Sequence, residues 1–145
     1  MKRFNFRLER VLRFRETELD EAKAALIAER ATLATLEEDL RLLREAHDRF
    51  SEVVGVVSGR DVLLQGWIGE GVKLRIELLD ERISRQRLRV EECLGVYRER
   101  QQGVRVLEKL REKHKEEYKI EVHRQETAEL DELGVAMRQR NRDGK

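Results

Sequence analysis

Residues 51–72 read SEVVGVVSGRDVLLQGWIGEGV, and the fold turns on how this stretch is read. It holds five of the nine glycines, Gly55, Gly59, Gly66, Gly69 and Gly71, in a chain with no proline. Charge drops here, and Val-Val pairs replace leucines. Each glycine costs a helix roughly 1 kcal/mol relative to alanine, so five together predict a break over about 55–71. Ser58-Gly59-Arg60-Asp61 suits the turn itself, with Asp61 placed to cap the second helix.

Before the break, alternating steps of four and three pick out Leu8, Leu12, Arg15, Leu19, Ala22, Leu26, Glu29, Leu33, Leu36, Leu40, Leu43, His47, Phe50, Val54 and Val57. Twelve of these fifteen are apolar. A seven-residue repeat held this long marks a left-handed supercoil seam, and the Glu, Arg, Asp and Thr between supply its solvated face. After the break a second seam reads Val72, Ile76, Leu79, Ile83, Gln86, Val90, Cys93, Tyr97, Arg100, Val104, Leu107, Arg111, His114, Tyr118, Glu121, Gln125, Ala128, Glu132 and Val135. Twelve of these nineteen are apolar, and the pattern weakens after Leu107. Gly95 and Gly103 invite bending or close approach of a partner helix.

Two matched seams around a short break predict an all-α fold, a long antiparallel two-helix coiled-coil hairpin. The expected layout is one coiled-coil domain over 1–145, with helices over about 5–57 and 71–138 and a flexible tail at 139–145. At 1.5 Å per residue the helices span roughly 80 Å and 100 Å, so the second overhangs the first. A monomer is expected; the alternative is a parallel homodimer of one broken rod. Arg15 and Glu29 are expected to fall among Arg100, Arg111 and His114, in polar layers that fix the register.

Composition agrees. The chain of 145 residues is 42% charged, 39% hydrophobic and 5% aromatic, which is too apolar for a disordered polyelectrolyte and typical of long helices. The net charge of +1 conceals an uneven distribution. Residues 1–15 carry six basic side chains against Glu9, and residues 16–52 carry five basic against eleven acidic. Residues 138–145 carry Arg138, Arg140, Arg142 and Lys145 against Asp143. In a hairpin both basic termini approach one end and create a local positive field. Cys93 is the only cysteine, so no intramolecular disulfide forms. The start, MKRFNFRLERV, lacks the apolar run of a secretory signal, and no stretch is apolar enough to span a bilayer. The expected compartment is the cytoplasm.

No pattern points to catalysis, a cofactor or a metal. GWIGEG at 66–71 follows no strand, and no phosphate-binding G-x-x-x-x-G-K-[ST] occurs. His47, His114 and His123 stand outside any zinc-ligand spacing; His47 and His114 fall on the seams, as does Cys93. Glu116 and Glu117 are adjacent and diverge on the helix surface. The basic start is a poor nucleic-acid arm, because Phe4, Phe6, Leu8, Val11, Leu12 and Phe14 interrupt it. An anionic membrane surface would accept those aromatics. Aromatic and Arg side chains are also the types enriched in protein-interface hot spots, and a protein-docking end is the preferred reading.

The string Phe4-Asn5-Phe6-Arg7-Leu8-Glu9-Arg10-Val11-Leu12-Arg13-Phe14-Arg15-Glu16, with Glu21-Ala22-Lys23 after it, resembles the start of the flagellar export protein FliJ family. Leu107-Glu108-Lys109-Leu110-Arg111-Glu112, then Tyr118, then Glu126-Thr127-Ala128-Glu129-Leu130-Asp131-Glu132, resembles that family's C-terminal half. The resemblance implies an antiparallel two-helix coiled coil similar to the rotor stalk of rotary ATPases. It implies a non-enzymatic part of the bacterial flagellar type III export apparatus, cytoplasmic and peripheral on the inner face of the membrane. The implied partners are the hexameric export ATPase, the export gate membrane protein and export chaperones. The residues matching at the ATPase end are Phe4, Phe6, Arg7, Leu8, Val11, Leu12 and Arg15, with Leu107, Leu110, Tyr118, Leu130, Asp131 and Glu132. Leu8, Leu12, Leu107 and Tyr118 also lie on the seams, where they can serve the hairpin alone. Trp67 and Ile68 depart from the family pattern and are candidates for covering the distal end or meeting a partner there. The stalk protein of a virulence-type secretion system and a membrane-surface scaffold are the alternative functions.

Overall fold

A computed structural model describes residues 3–53 and 59–144. It contains two helices, α1 over Glu9–Val53 and α2 over Gly59–Asp143, of 45 and 85 residues. They pack antiparallel as a helical hairpin. Where they meet, partner numbers on α2 fall as those on α1 rise: Glu18 pairs with Arg100, Glu29 with Gln86, and Arg44 with Asp80. The contacts divide into two units, Glu18–Arg100 and Met1–Thr17 with Gln101–Lys145.

In the unit Glu18–Arg100 the core is the predicted seam. Leu26, Leu40, Ile83 and Gln86 are buried. Every seam position from Leu19 to Phe50, and from Val72 to Arg100, is buried or half-buried. Residues between them are mostly solvated, and their hydroxyls fold back onto their own helix. Thr32, Thr35 and Ser84 each donate to the carbonyl four residues earlier, which keeps a polar group satisfied on an outward face. In the other unit Phe6, Leu12 and Val104 form the core.

The glycine-rich stretch departs from expectation. The second helix is expected near residue 71, yet α2 begins at Gly59 and carries Gly66, Gly69 and Gly71 within it. None of the described glycines has a positive φ. The reason is packing: Gln65, Gly69, Val72 and Ile76 continue the seam rhythm and are half-buried, and burial along a face outweighs intrinsic propensity. Ser58 and Gly55 lie outside the described residues. Gly59, Arg60 and Asp61 are helical rather than a turn, and Asp61 sits inside the first turn, where a carboxylate complements the helix dipole.

Both outer ends differ as well. Residues 3–6 are not helical, because they lie against α2 through Phe4 and Phe6. The amide of Glu9 donates to the Phe6 carbonyl at 3.1 Å as the chain turns into α1. At the other end α2 runs through 139–143, where a flexible tail is expected from sequence. Arg140 and Arg142 stand in its last turn, where they complement the dipole. Gly95 and Gly103 make no close approach, since a Cβ at either would meet nothing within 4 Å.

Candidate partner-binding surfaces

The unit holding the N-terminal segment is closed by rings and ions. The Phe4 ring lies 5.6 Å from that of Tyr118, tilted by 49°, and Phe6 meets His114 edge-on at 5.7 Å. One turn on, the Glu9 carboxylate lies between Arg111 of α2 at 3.6 Å and Arg13 of its own helix at 3.9 Å. The sequence supplies the spacing: residues 4, 6 and 9 of an extended-then-turned segment meet 118, 114 and 111 of a helix. The predicted residues Phe4 and Tyr118 are thereby brought together.

Burial then sorts the ATPase-end candidates. Leu12 is 1% exposed and Phe6 is buried, so their side chains serve the hairpin. Phe4, Leu8, Leu107, Leu110 and Tyr118 are half-buried. Arg7, Val11, Arg15, Leu130, Asp131 and Glu132 are exposed. Phe14, 61% exposed, shares a face with Val11 at i,i+3 spacing, off the seam. It belongs with the exposed set, and a seam-only reading passes over it. The basic termini do not coincide: the N-terminal segment meets α2 at 111–118, while Arg138, Arg140 and Arg142 lie about 30 Å farther along that helix. The positive field is therefore two patches.

The unit Glu18–Arg100 carries a second apolar stripe. Leu63, Trp67, Leu74 and Leu78 recur at helical spacing on the face of α2 opposite the seam, with Gly71 between Trp67 and Leu74. All four are exposed, Trp67 at 76%, and Leu64 and Ile68 flank them. The register that would have exposed it in the sequence is 67, 71, 74, 78, offset from the seam at 69, 72, 76, 79. Solvated single apolar residues are ordinary, but a contiguous row including Trp is the composition of an interface.

Polar pairs set the register of the two helices. Gln86 is buried, and its amide Nε2 donates to the Glu29 carbonyl at 2.9 Å and to the Glu29 carboxylate. Glu29 thus meets Gln86, not Arg100; Arg100 pairs with Glu18 at 3.1 Å, and Arg111 with Glu9. Arg15 is exposed, and His114 offers its ring to Phe6 rather than joining a charged layer. Farther along the seam, Arg44–Asp80 at 3.4 Å and Arg87–Glu37 at 3.3 Å bridge the helices at the surface. Such exposed pairs add little energy, about 0–1 kcal/mol each, and act mainly on alignment. Cys93 is a half-buried free thiol on the seam.

Among the described residues no helix is long and apolar enough to cross a membrane, and no cluster of His, Cys, Asp and Glu could hold a metal ion. The arrangement offers surfaces, and their chemistry is apolar contact rimmed by charge. A protein-family model described as "Flagellar FliJ protein" matches residues 4–145, nearly the whole chain. Neither curated proteins nor solved structures yield a significant match.

Proposed function

Since the chain belongs to the FliJ family and is a flagellar export-related protein, we propose that it acts without catalysis as a coiled-coil stalk of the type III export apparatus. In this reading it couples the hexameric export ATPase to the membrane export gate and escorts export chaperones. It works from the cytoplasm, peripheral to the inner face of the membrane.

The observation that supports coupling is the presence of two apolar surfaces of different make-up, one in each unit. The first is Val11 and Phe14 with Arg7 and Arg15 around them; Leu130, Asp131 and Glu132 stand about 30 Å farther along α2 and add a separate contact in the same unit. It is assigned to the ATPase. Phe4, Phe6, Leu8, Leu12, Leu107, Leu110 and Tyr118 hold that end in shape, and the half-buried ones contribute edges to the contact. The second surface is Leu63, Trp67, Ile68, Leu74 and Leu78, assigned to the gate. Exposed aromatics beside Arg are the anchors that protein interfaces favour.

Separate lesions test the assignment. With purified export ATPase and the soluble part of the gate protein, Val11→Asp with Phe14→Asp is expected to weaken ATPase binding at least tenfold and spare gate binding. Trp67→Asp with Leu74→Asp is expected to do the reverse. Wild-type protein that neither binds the ATPase ring nor changes its hydrolysis rate would remove the coupling role.

A further inference from the structure

Beyond Tyr118, α2 has no helix of this chain beside it in its unit, and of residues 119–143 only Val122 is half-buried. Three large apolar side chains stand there on one stripe. Leu130, Leu133 and Met137 follow i, i+3, i+7 spacing and are all more than half exposed. Gly134 borders the stripe, and a Cβ added to it would meet nothing within 4 Å, so the backbone there is open to close approach.

Charge around the stripe is split by sequence. Residues 126–132 carry Glu126, Glu129, Asp131 and Glu132 with no basic side chain. Residues 138–142 carry Arg138, Arg140 and Arg142 with no acidic one. A parallel copy would set acid on acid and base on base. Glu126, Leu133 and Arg140 recur every seven residues along the stripe, so an antiparallel copy sets Glu126 of each helix against Arg140 of the other, twice, about a two-fold axis beside Leu133. Leu130 and Met137 then approach each other's partners across that axis, with Leu133 at its centre. The stripe is self-complementary in both shape and charge, which is the requirement of an isologous interface.

We infer that residues 126–142 of α2 form a self-association surface whose occupant is a second copy of this chain, paired antiparallel. The contact covers only a few helical turns, so it is weak and concentration-dependent, and added salt weakens it further. It uses Leu130, which the proposed ATPase contact also uses, so the two contacts exclude each other. The inference itself does not depend on that contact.

Sedimentation of the full chain at low salt tests it. Wild type is expected to shift from monomer to dimer mass as concentration rises, and Leu133→Asp to weaken the association at least tenfold. A Glu126→Arg variant and an Arg140→Glu variant should each associate at least tenfold more weakly than wild type alone. Mixed, they should pair with one another, because every facing charge is again opposite. In a Cys93→Ser background, Gly134→Cys should form a disulfide-linked dimer under oxidising conditions, and Gln139→Cys, on the opposite face, should not. Wild type that stays monomeric at every concentration, self-association that Leu133→Asp leaves intact, or failure of the mixed variants to pair would overturn the inference. Circular dichroism confirms that each variant keeps its helices.

Discussion

Leu12 and Gln86 show how single side chains hold this hairpin by different means. Leu12 is enclosed completely, so truncating it leaves a cavity that two helices cannot readily close. Leu12→Ala is expected to lower unfolding free energy by about 2–4 kcal/mol, read from thermal or urea melts. Gln86 contributes specificity. Its two hydrogen bonds to Glu29 exist in one register only. Gln86→Ala is expected to cost about 1–2 kcal/mol. Gln86→Leu is expected to be at least as stable but less uniquely registered. A cross-link engineered between positions 29 and 86 would form less completely when other core positions are left to set the alignment. The sequence made these positions visible as seam members. It did not reveal which polar residue faced which, because seam spacing repeats every seven residues and allows neighbouring registers.

Within α1, Arg41 is bonded to Glu38 at 2.5 Å and to Glu45 at 2.6 Å, a chain of i,i+3 and i,i+4 pairs on an exposed face. The Arg41 hydrogen bond holds the Glu38 carboxyl below its ordinary value of 4.5, and Glu38 in turn holds the guanidinium above its own. A depressed carboxyl favours the helix while ionised. Its contribution is therefore complete at neutral pH and is lost as pH falls from the ordinary carboxylate range through the lower folded value. An NMR titration of the Glu38 side chain should show the depressed midpoint, and Arg41→Gln should return it to the ordinary range. Early α2 behaves differently. Gly66, Gly69 and Gly71 are helical, and a Cβ at any of them meets nothing within 4 Å. Alanine at each is expected to stabilise that segment by about 0.5–1 kcal/mol, seen as slower amide exchange over the first turns of α2. A collision or a left-handed glycine would have reversed the sign, and neither is present at these three positions.

Across the molecule, stability follows the seam. In the unit Glu18–Arg100 it is buried or half-buried at every position from Leu19 to Phe50 and from Val72 to Arg100, whereas residues 119–143 rely on their own hydrogen bonds. Most of a helix's stability in a protein comes from packing of an apolar face, a packing this stretch lacks. Hydrogen exchange should therefore be slow around Leu26, Leu40 and Ile83 and faster by orders of magnitude over 119–143. Equal protection in both regions at concentrations where the chain is monomeric would contradict this account. The seven-residue rhythm, the absence of proline and the charged outer faces were enough to determine two long helices paired along a seam, because periodic burial is a local property that any register preserves. The tertiary structure decided what is not periodic. It turned residues 3–6 out of helix and onto Tyr118 and His114, carried α2 back through its glycines to Gly59, and left one apolar stripe outside the seam at Trp67 and another at Leu133. Each outcome depends on which neighbour stands opposite a residue, and that is fixed only when the two helices settle against each other.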